Sequence, residues 1–324
     1  MPISNQAARI SASAIESART RIRAEFLNSR QIENSALSAA VGARLLCKVE
    51  CENPVGCFKG RGTDSFVNSL PADGKALVTA SAGNFGLALA YSARQREIQV
   101  AVYAAENASP RKIDCIRSTG AIVHLIGRDF DEAKDHARDD ANRSNSIFVE
   151  DGREPAITAG AGTMAMEITN AGVTIDRLIV PLGNGALLAG LGCWFRARSP
   201  KTRVVAVCAE GAPSMALSWR SHQLQTTPTV DTIADGIAVR VPITEALADI
   251  QDVVDDIVLV SDDAMKQALK FVHKHLNLVV EPSGVAGIAA LLSHSSLAKG
   301  TVCSPLTGAN VTEDQVKTWI AEIE

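Results

Sequence analysis

The chain of 324 residues is too long for one small core and fits two medium lobes or one large α/β body. Its 46% hydrophobic and 21% charged residues are ordinary for a globular protein, and a net charge of -4 gives no footing for nucleic acid or an acidic membrane surface, so a small ligand is expected. No apolar run has the length of a signal-peptide core or a membrane span, which points to the cytoplasm, and the seven cysteines lie mostly in apolar runs, as reduced thiols do rather than a disulfide framework.

A polar helical pattern covers about residues 8–32. Beyond it, apolar runs alternate with helical patterns: "RLLCKVE", then "ALVTA" before "NFGLALAYSARQ", "QVAVYAA" before "SPRKIDCIRSTG", and "AIVHLIG" before "DFDEAKDHARDDANRS". Strand, turn and helix at this pace predict a parallel sheet covered on both faces. The stretch "REPAITAGAGTMAMEITNAG" reads as a glycine-punctuated helix opening a second series, whose strands are "RLIVPL", "VVAVCAE", "DIVLVS" and "TVCSPL". The longest polar connection, "SWRSHQLQTTPTVDTIADGIAV", has the length of a segment that lies over a site.

Four turns carry chemistry. In "ENPVGCFKGRG", residues 52–62, Lys59 stands among three glycines ahead of a helix, a setting where a lysine is ordinarily just solvated. In "TASAGNFGLALA", residues 79–90, Ser81, Ala82, Gly83 and Asn84 fall where free backbone N–H groups and the positive end of a helix dipole face outward. Taken alone, this turn is as well explained by an N-cap and a turn glycine. "LIVPLGNGALLAG", residues 178–190, repeats the arrangement with Gly183 and Gly185, and a phosphate fits there. No GK[ST] follows, which disfavours a nucleoside triphosphate. Glu210 about twenty residues on imitates a nicotinamide fingerprint, but Gly190 lies five residues after Gly185 instead of three. "CSPLTGANV", residues 303–311, adds Thr307 and Asn310 exposed at a third strand end. Cys47, Cys51 and Cys57 form no CxxC pair, and His273 and His275 read as solvent-side residues of a helix end, so no metal site is expected.

A lysine, a phosphate-sized glycine loop, a second anion loop and a neutral hydroxyl together fit pyridoxal phosphate chemistry. The motifs "CKVECENPVGCFKGRG", "SAGNFGLALAYSAR", "PLGNGALLAG", "TIADGIAV", "VEPSGVAGIAAL" and "SPLTGAN", in this order, resemble the fold-type II pyridoxal-phosphate enzymes of the tryptophan synthase β family. The resemblance spans roughly residues 20–315 and is greatest to the threonine/serine dehydratase and serine racemase branch.

That resemblance implies an α/β, two-lobed, parallel-sheet-based three-layer fold. Residues 1–65 and 150–324 would form a discontinuous cofactor-binding domain and residues 66–149 a small substrate-side domain. It makes Lys59 the Schiff-base lysine and, once freed by substrate, the base for the α-proton. Asn84 would contact the pyridine hydroxyl oxygen, and Ser81, Ala82 and Gly83 with Asn84 would receive the substrate. Gly183, Asn184, Gly185, Ala186 and Leu187 would cradle the cofactor phosphate, and Thr307 would hydrogen-bond the pyridine nitrogen. The family's serine before phenylalanine and lysine is Cys57 here, its histidine after the asparagine is Phe85, and its early "TPL" is "EFL" at 25–27, which questions the N-terminal packing. Glu281 lies near the ring or only at a helix start, and Glu210 sits where some relatives bind a cation.

The implied activity is elimination of the β-hydroxyl of a small amino acid such as L-threonine or L-serine, giving a 2-oxo acid and ammonia, in a cytoplasmic homodimer. Racemases of the branch carry a serine directly after the position of Ser81, and Ala82 cannot exchange a proton. Only fourteen residues follow Asn310, too few for an appended regulatory domain. The alternatives are a threonine synthase-like or β-replacement enzyme on the same fold, a nicotinamide-dependent oxidoreductase, and an idle scaffold that keeps the fold.

Overall fold

The computed structural model describes residues 9–320. Among the described residues ten strands run in chain order as β1 (Gln31–Glu33), β2 (Arg44–Val49), β3 (Leu77–Ala80), β4 (Val100–Ala104), β5 (Ile122–Leu125), β6 (Ile147–Phe148), β7 (Arg177–Pro181), β8 (Arg203–Ala209), β9 (Asp256–Val260) and β10 (Thr301–Leu306). The helices are α1 (Ala12–Arg19), α2 (Ser35–Val41), α3 (Lys59–Val67), α4 (Asn84–Arg94), α5 (Pro110–Ser118), α6 (Phe130–Ser144) and α7 (Pro155–Asn170). They continue as α8 (Ala186–Arg198), α9 (Ser214–Ser221), α10 (Thr244–Gln251), α11 (Asp262–Leu276), α12 (Ala286–Ser293) and α13 (Glu313–Trp319).

The strands form two sheets. One has six strands in the order β1-β2-β10-β7-β8-β9, parallel except for the β1–β2 pair, and the other has four parallel strands in the order β5-β4-β3-β6. The period-2 alternation of strands splits each sheet's apolar side chains between two cores. Leu178 and Val180 of β7, with Val204, Ala206 and Cys208 of β8, pack with α1, α7, α8 and α10. Ile179, Val205, Val207 and Ala209 point to the other face, under α2, α11 and α12. In the four-stranded sheet Leu77, Val100 and Val102 meet α4 and α5, while Val78, Ala80 and Tyr103 meet Ala137 and Ala141 of α6. The inner strands of each sheet are thus covered on both faces, as their near-continuous apolar runs require, while the edge strand β5 leaves Ile122 and Leu125 exposed.

Two glycines set how closely the helices of the site approach. A Cβ on Gly160 of α7 would lie 2.5 Å from the Arg61 carbonyl of α3, and one on Gly190 of α8 would lie 2.3 Å from the Thr158 carbonyl of α7. The "AGAG" punctuation of α7 therefore lets the helix that begins with Lys59 and the helix that follows Gly185 pack on either side of it.

The continuous helical pattern over residues 8–32 is not what forms; the part before residue 9 lies outside the described residues. Within the rest, α1 ends at Arg19, a short 3₁₀ turn covers Ala24–Phe26, and β1 follows. The chain turns out of the helix because Asp64 accepts both the Arg23 backbone N–H (2.7 Å) and its Nε (2.8 Å), which fixes the segment to α3. The packing that the "EFL" departure left open is made by Phe26. It is 2% exposed, packs with Ile22, Val55, Cys57 and Ala88, and fills the space a Gly60 side chain would need, 2.3 Å from its Cε1.

Candidate active site

The site lies where the carboxyl ends of parallel strands from both sheets face one another, the usual place for ligands in open α/β sheets. β3 delivers Ser81, Ala82, Gly83 and Asn84, β7 delivers the Gly183 loop, β10 delivers Thr307, and β6 runs into Glu150 and Asp151. The eleven residues expected to hold cofactor or substrate, Lys59, Ser81, Ala82, Gly83, Asn84, Gly183, Asn184, Gly185, Ala186, Leu187 and Thr307, line one cavity of about 680 Å³. The polar connection after α9 supplies part of its wall through Pro228–Val230 and Asp235–Val241.

Lys59 is the first residue of α3, and its turn is stitched to the Thr307 turn. The Phe58 N–H donates to the Thr307 carbonyl (2.9 Å), and the Ala309 N–H donates to the Gly56 carbonyl (2.9 Å). The Lys59 side chain is 14% exposed; its Nζ lies 2.5 Å from Asp151 Oδ2 and 4.5 Å from the centre of the Phe58 ring. Thr307, expected to be exposed at the strand end, is only 4% exposed, because the Lys59 turn closes over it.

The loop after β7 has the form of an anion cradle. Gly185 takes the left-handed φ of +96°, a conformation that disfavours any side chain, and a Cβ on Gly183 would stand 2.7 Å from the Gly236 carbonyl. The first backbone hydrogen bond of α8 runs from Ala189 N–H to the Gly185 carbonyl (2.8 Å). The amides ahead of it, Ala186 and Leu187 among them, are the donors that a helix leaves free at its start. At the β3 end the Ser81 N–H is spent on the Tyr103 carbonyl (3.0 Å), and its Oγ accepts the Gly83 N–H at 3.3 Å. Ser81 can therefore offer a ligand its hydroxyl but not its backbone amide.

Asn84 is held from two sides. Its Nδ2 donates to Glu281 Oε1 (2.8 Å), and its Oδ1 accepts from Asn310 Nδ2 (2.7 Å). Glu281 is 4% exposed and also accepts from Ser283 Oγ (2.9 Å) and the Asn310 N–H (3.2 Å). Burial, followed by the nearby Asp235 charge, pushes its carboxyl above the ordinary range, although Asn84 and Ser283 pull the other way. Glu281 takes both places left open for it: it lines the cavity and also stands as the N-cap of the 3₁₀ turn Pro282–Val285. Glu210 lies just beyond β8 and is exposed, and no group of three or more candidate metal-binding side chains occurs among the described residues.

The sequence reading missed the acidic end of the cavity. Glu150 and Asp151, each 7% exposed, follow β6, and Lys134 of α6 lies 3.5 Å from Glu150 and 3.6 Å from Asp131. Arg240 from the long connection pairs with Asp129 (3.8 Å) and Asp131, and Lys112 pairs with Asp235, so three ion pairs join the four-stranded part to the rest across the cavity's rim. The "VEDGREP" acidic run was the available signal, but it precedes a helix, where acidic residues are commonplace.

The residues present fit a pyridoxal phosphate group. The amine of Lys59 stands in the cavity, the glycine loop provides a cradle that a Cβ would fill, and Asn84 and Thr307 line the same cavity.

A family profile described as "Pyridoxal-phosphate dependent enzyme" matches residues 27–308. An L-threonine ammonia-lyase of Geobacter sulfurreducens is 32% identical over 314 residues, 96% of this chain and 77% of that one. Serine racemase of Homo sapiens is 31% identical over 327 residues, covering 97% of this chain and 95% of its own. Among solved structures, maize serine racemase superposes with a TM-score of 0.90 at 25% identity over 96% of each chain. The processed form of threonine deaminase isoform 2 from Solanum lycopersicum does so with a TM-score of 0.86 at 26% identity, over 98% of this chain and 91% of the other.

Proposed function

We propose a reaction from one premise: this chain belongs to the family of pyridoxal-phosphate dependent enzymes. Within that family it is an ammonia-lyase that eliminates the β-hydroxyl of a small amino acid such as L-threonine or L-serine and yields a 2-oxo acid and ammonia. When bound, the cofactor supplies the electron sink that makes the α-proton of the substrate removable.

This chain's own residues do the rest. Lys59 holds the cofactor through Nζ and, once the substrate amine has taken its place, accepts the α-proton. Gly183, Asn184, Gly185, Ala186 and Leu187 bind the phosphate on their backbone amides. Asn84, kept in place by Glu281 and Asn310, orients the ring. Thr307 would hold the ring nitrogen through a neutral hydroxyl, which favours elimination at Cβ over transamination. Ala82, Gly83, Asn84 and the Ser81 hydroxyl receive the substrate carboxylate. Ala82 carries no exchangeable proton, so racemisation lacks a base at that position. Water hydrolyses the released enamine, and the overall reaction is one amino acid to one 2-oxo acid and one ammonia.

The observation that supports this reading most is the position of Lys59 Nζ, largely buried, in the cavity that the phosphate cradle and the Ser81–Asn84 turn both line. Residues 1–65 with 150–324 are taken as the cofactor-binding domain and 66–149 as the substrate-side domain, whose closure excludes water. Among the described residues no helix is long and apolar enough to cross a membrane. We take the enzyme to act in the cytoplasm as a homodimer. The test is release of 2-oxobutanoate from L-threonine or pyruvate from L-serine by the cofactor-loaded protein. A change of its absorption spectrum without 2-oxo acid would favour β-replacement or synthase chemistry instead.

A further inference from the structure

Asp151 lies in the cavity, yet none of the roles above uses it. Its Oδ2 is 2.5 Å from Lys59 Nζ, and its Oδ1 is buried without a hydrogen-bond partner among the described residues. The neighbouring Glu150 is occupied differently, with Lys134 at 3.5 Å and Arg153 at 3.4 Å, whereas the ion pair of Asp151 is with Lys59. A buried carboxylate oxygen with no partner is costly, and such an atom beside a reacting group calls for an explanation.

The backbone around Asp151 is fixed. Gly152 takes a φ of +89°, and a Cβ there would meet the Asn184 carbonyl at 2.5 Å, so this turn is nested on the loop after β7. Arg9 donates to the Gly152 carbonyl (3.2 Å) and the Arg153 carbonyl (2.7 Å) while its guanidinium also pairs with Asp249. The side chain is therefore presented from a braced turn, which suits a group that must meet a reacting atom.

We infer that Asp151 is the acid that serves the departing β-hydroxyl, supplied with its proton by Lys59; this rests on the elimination reading above. Lys59 Nζ takes the α-proton, and the electron pair of the broken C–H bond ends in the Cα–Cβ double bond as the Cβ–O bond breaks. The Lys59 ammonium passes that proton across their contact to the Asp151 carboxylate, which gives it to the leaving oxygen, and the oxygen departs as water. The α-proton has in effect left with the water, and both side chains are back in their starting states. A departing hydroxyl needs such an acid, whereas a departing chloride does not.

The test compares L-serine with β-chloro-L-alanine on the cofactor-loaded wild-type protein, Asp151→Asn and Asp151→Glu. It also follows exchange of the α-proton of L-alanine in D₂O by NMR and the visible band of the holoenzyme. For Asp151→Asn the expected results are an unchanged visible band, α-exchange and β-chloroalanine turnover within a few-fold of wild type, and serine elimination down by roughly 10²-fold or more. Asp151→Glu should restore part of the serine rate. Equal losses on both substrates, or loss of α-exchange, would make Asp151 only a positioning residue for Lys59 and overturn the inference while the elimination reading stands. If the Asn variant does not fold, the wild type still decides. A solvent deuterium effect on serine that is absent with β-chloroalanine supports the inference, and equal effects overturn it. If neither L-serine nor L-threonine yields a 2-oxo acid, the elimination reading itself fails.

Discussion

Replacing Glu167 by glutamine should destabilise the protein by about 3 kcal/mol at neutral pH. Glu167 on α7 belongs to a buried set of four charges beneath the Lys59 turn. Arg61 Nη1 and Nη2 each donate to it at 2.8 Å, and Lys48 Nζ lies at 2.8 Å, while Arg61 also grips Glu50 through Nε (2.7 Å) and Nη2 (2.9 Å). Two cations face two carboxylates, and Arg61 and Glu50 are each 1% exposed. Burial pushes the Glu167 carboxyl up, but the hydrogen bonds and charge of Arg61, then Lys48 and the Asn28 N–H, outweigh it and hold it down from the ordinary 4.5 to about 2. At about 1.4 kcal/mol per pH unit, that depression corresponds to roughly 3 kcal/mol of stability. Removing one partner of a buried pair costs about 3–5 kcal/mol by independent reckoning, because a charge is left uncompensated. Since the folded value lies below the unfolded one, this stability is fully present above pH 4.5 and is lost as pH falls towards 2. Calorimetry should find the melting temperature of Glu167→Gln lower by roughly 5–10 °C at pH 7, with the gap to wild type closing as the medium is acidified from pH 4.5. A gap under about 2 °C at pH 7, or one that does not change with acidification, would refute the reasoning.

Other perturbations follow from the same geometry. Gly183→Ala places a methyl 2.7 Å from the Gly236 backbone carbonyl in the cradle, which must shift, so pyridoxal phosphate affinity, followed by absorption titration, should fall by roughly tenfold or more and the melting temperature should fall with it. Gly60→Ala drives a methyl into the Phe26 ring at 2.3 Å and should cost about 1–3 kcal/mol in denaturant unfolding, relieved when combined with Phe26→Leu. Burial pushes the thiols of Cys47, Cys51 and Cys208 up to about 12, and Cys57 and Cys303 are raised in the same direction. An aromatic disulfide reagent at pH 8 should therefore label exposed Cys115 first and half-buried Cys193 slowly, leaving the other five until the protein unfolds.

Much of this site could be read without the fold, because its parts are local. A glycine loop after an apolar run and before a helix places amides at a strand end whatever surrounds it, and six such segments in order sufficed to bring Lys59, Asn84, the Gly183 loop and Thr307 into one crevice. The strands were legible for a similar reason, since each apolar run in "RLIVPL" or "VVAVCAE" is buried on both faces. What could not be read depends on pairing across the chain. Lys59 and Asp151 are 92 residues apart, and nothing in "VEDGREP" says that one of its carboxylates faces a lysine. The same holds for Lys48 and Glu50, whose alternation in "CKVE" looks solvent-facing, yet which are 2% and 1% exposed because Arg61 and Glu167 meet them from other elements. The N-terminal pattern misled because Arg23 finds Asp64, a tertiary contact that outweighs local helix propensity.

The central claim, that Lys59 carries the cofactor of an eliminating enzyme, is tested most directly by borohydride reduction of the purified protein loaded with pyridoxal phosphate, followed by peptide mass mapping. A visible absorption band that reduction abolishes is expected, with the cofactor mass fixed on the peptide containing Lys59. Failure to take up the cofactor, or its fixation on another lysine, would contradict it.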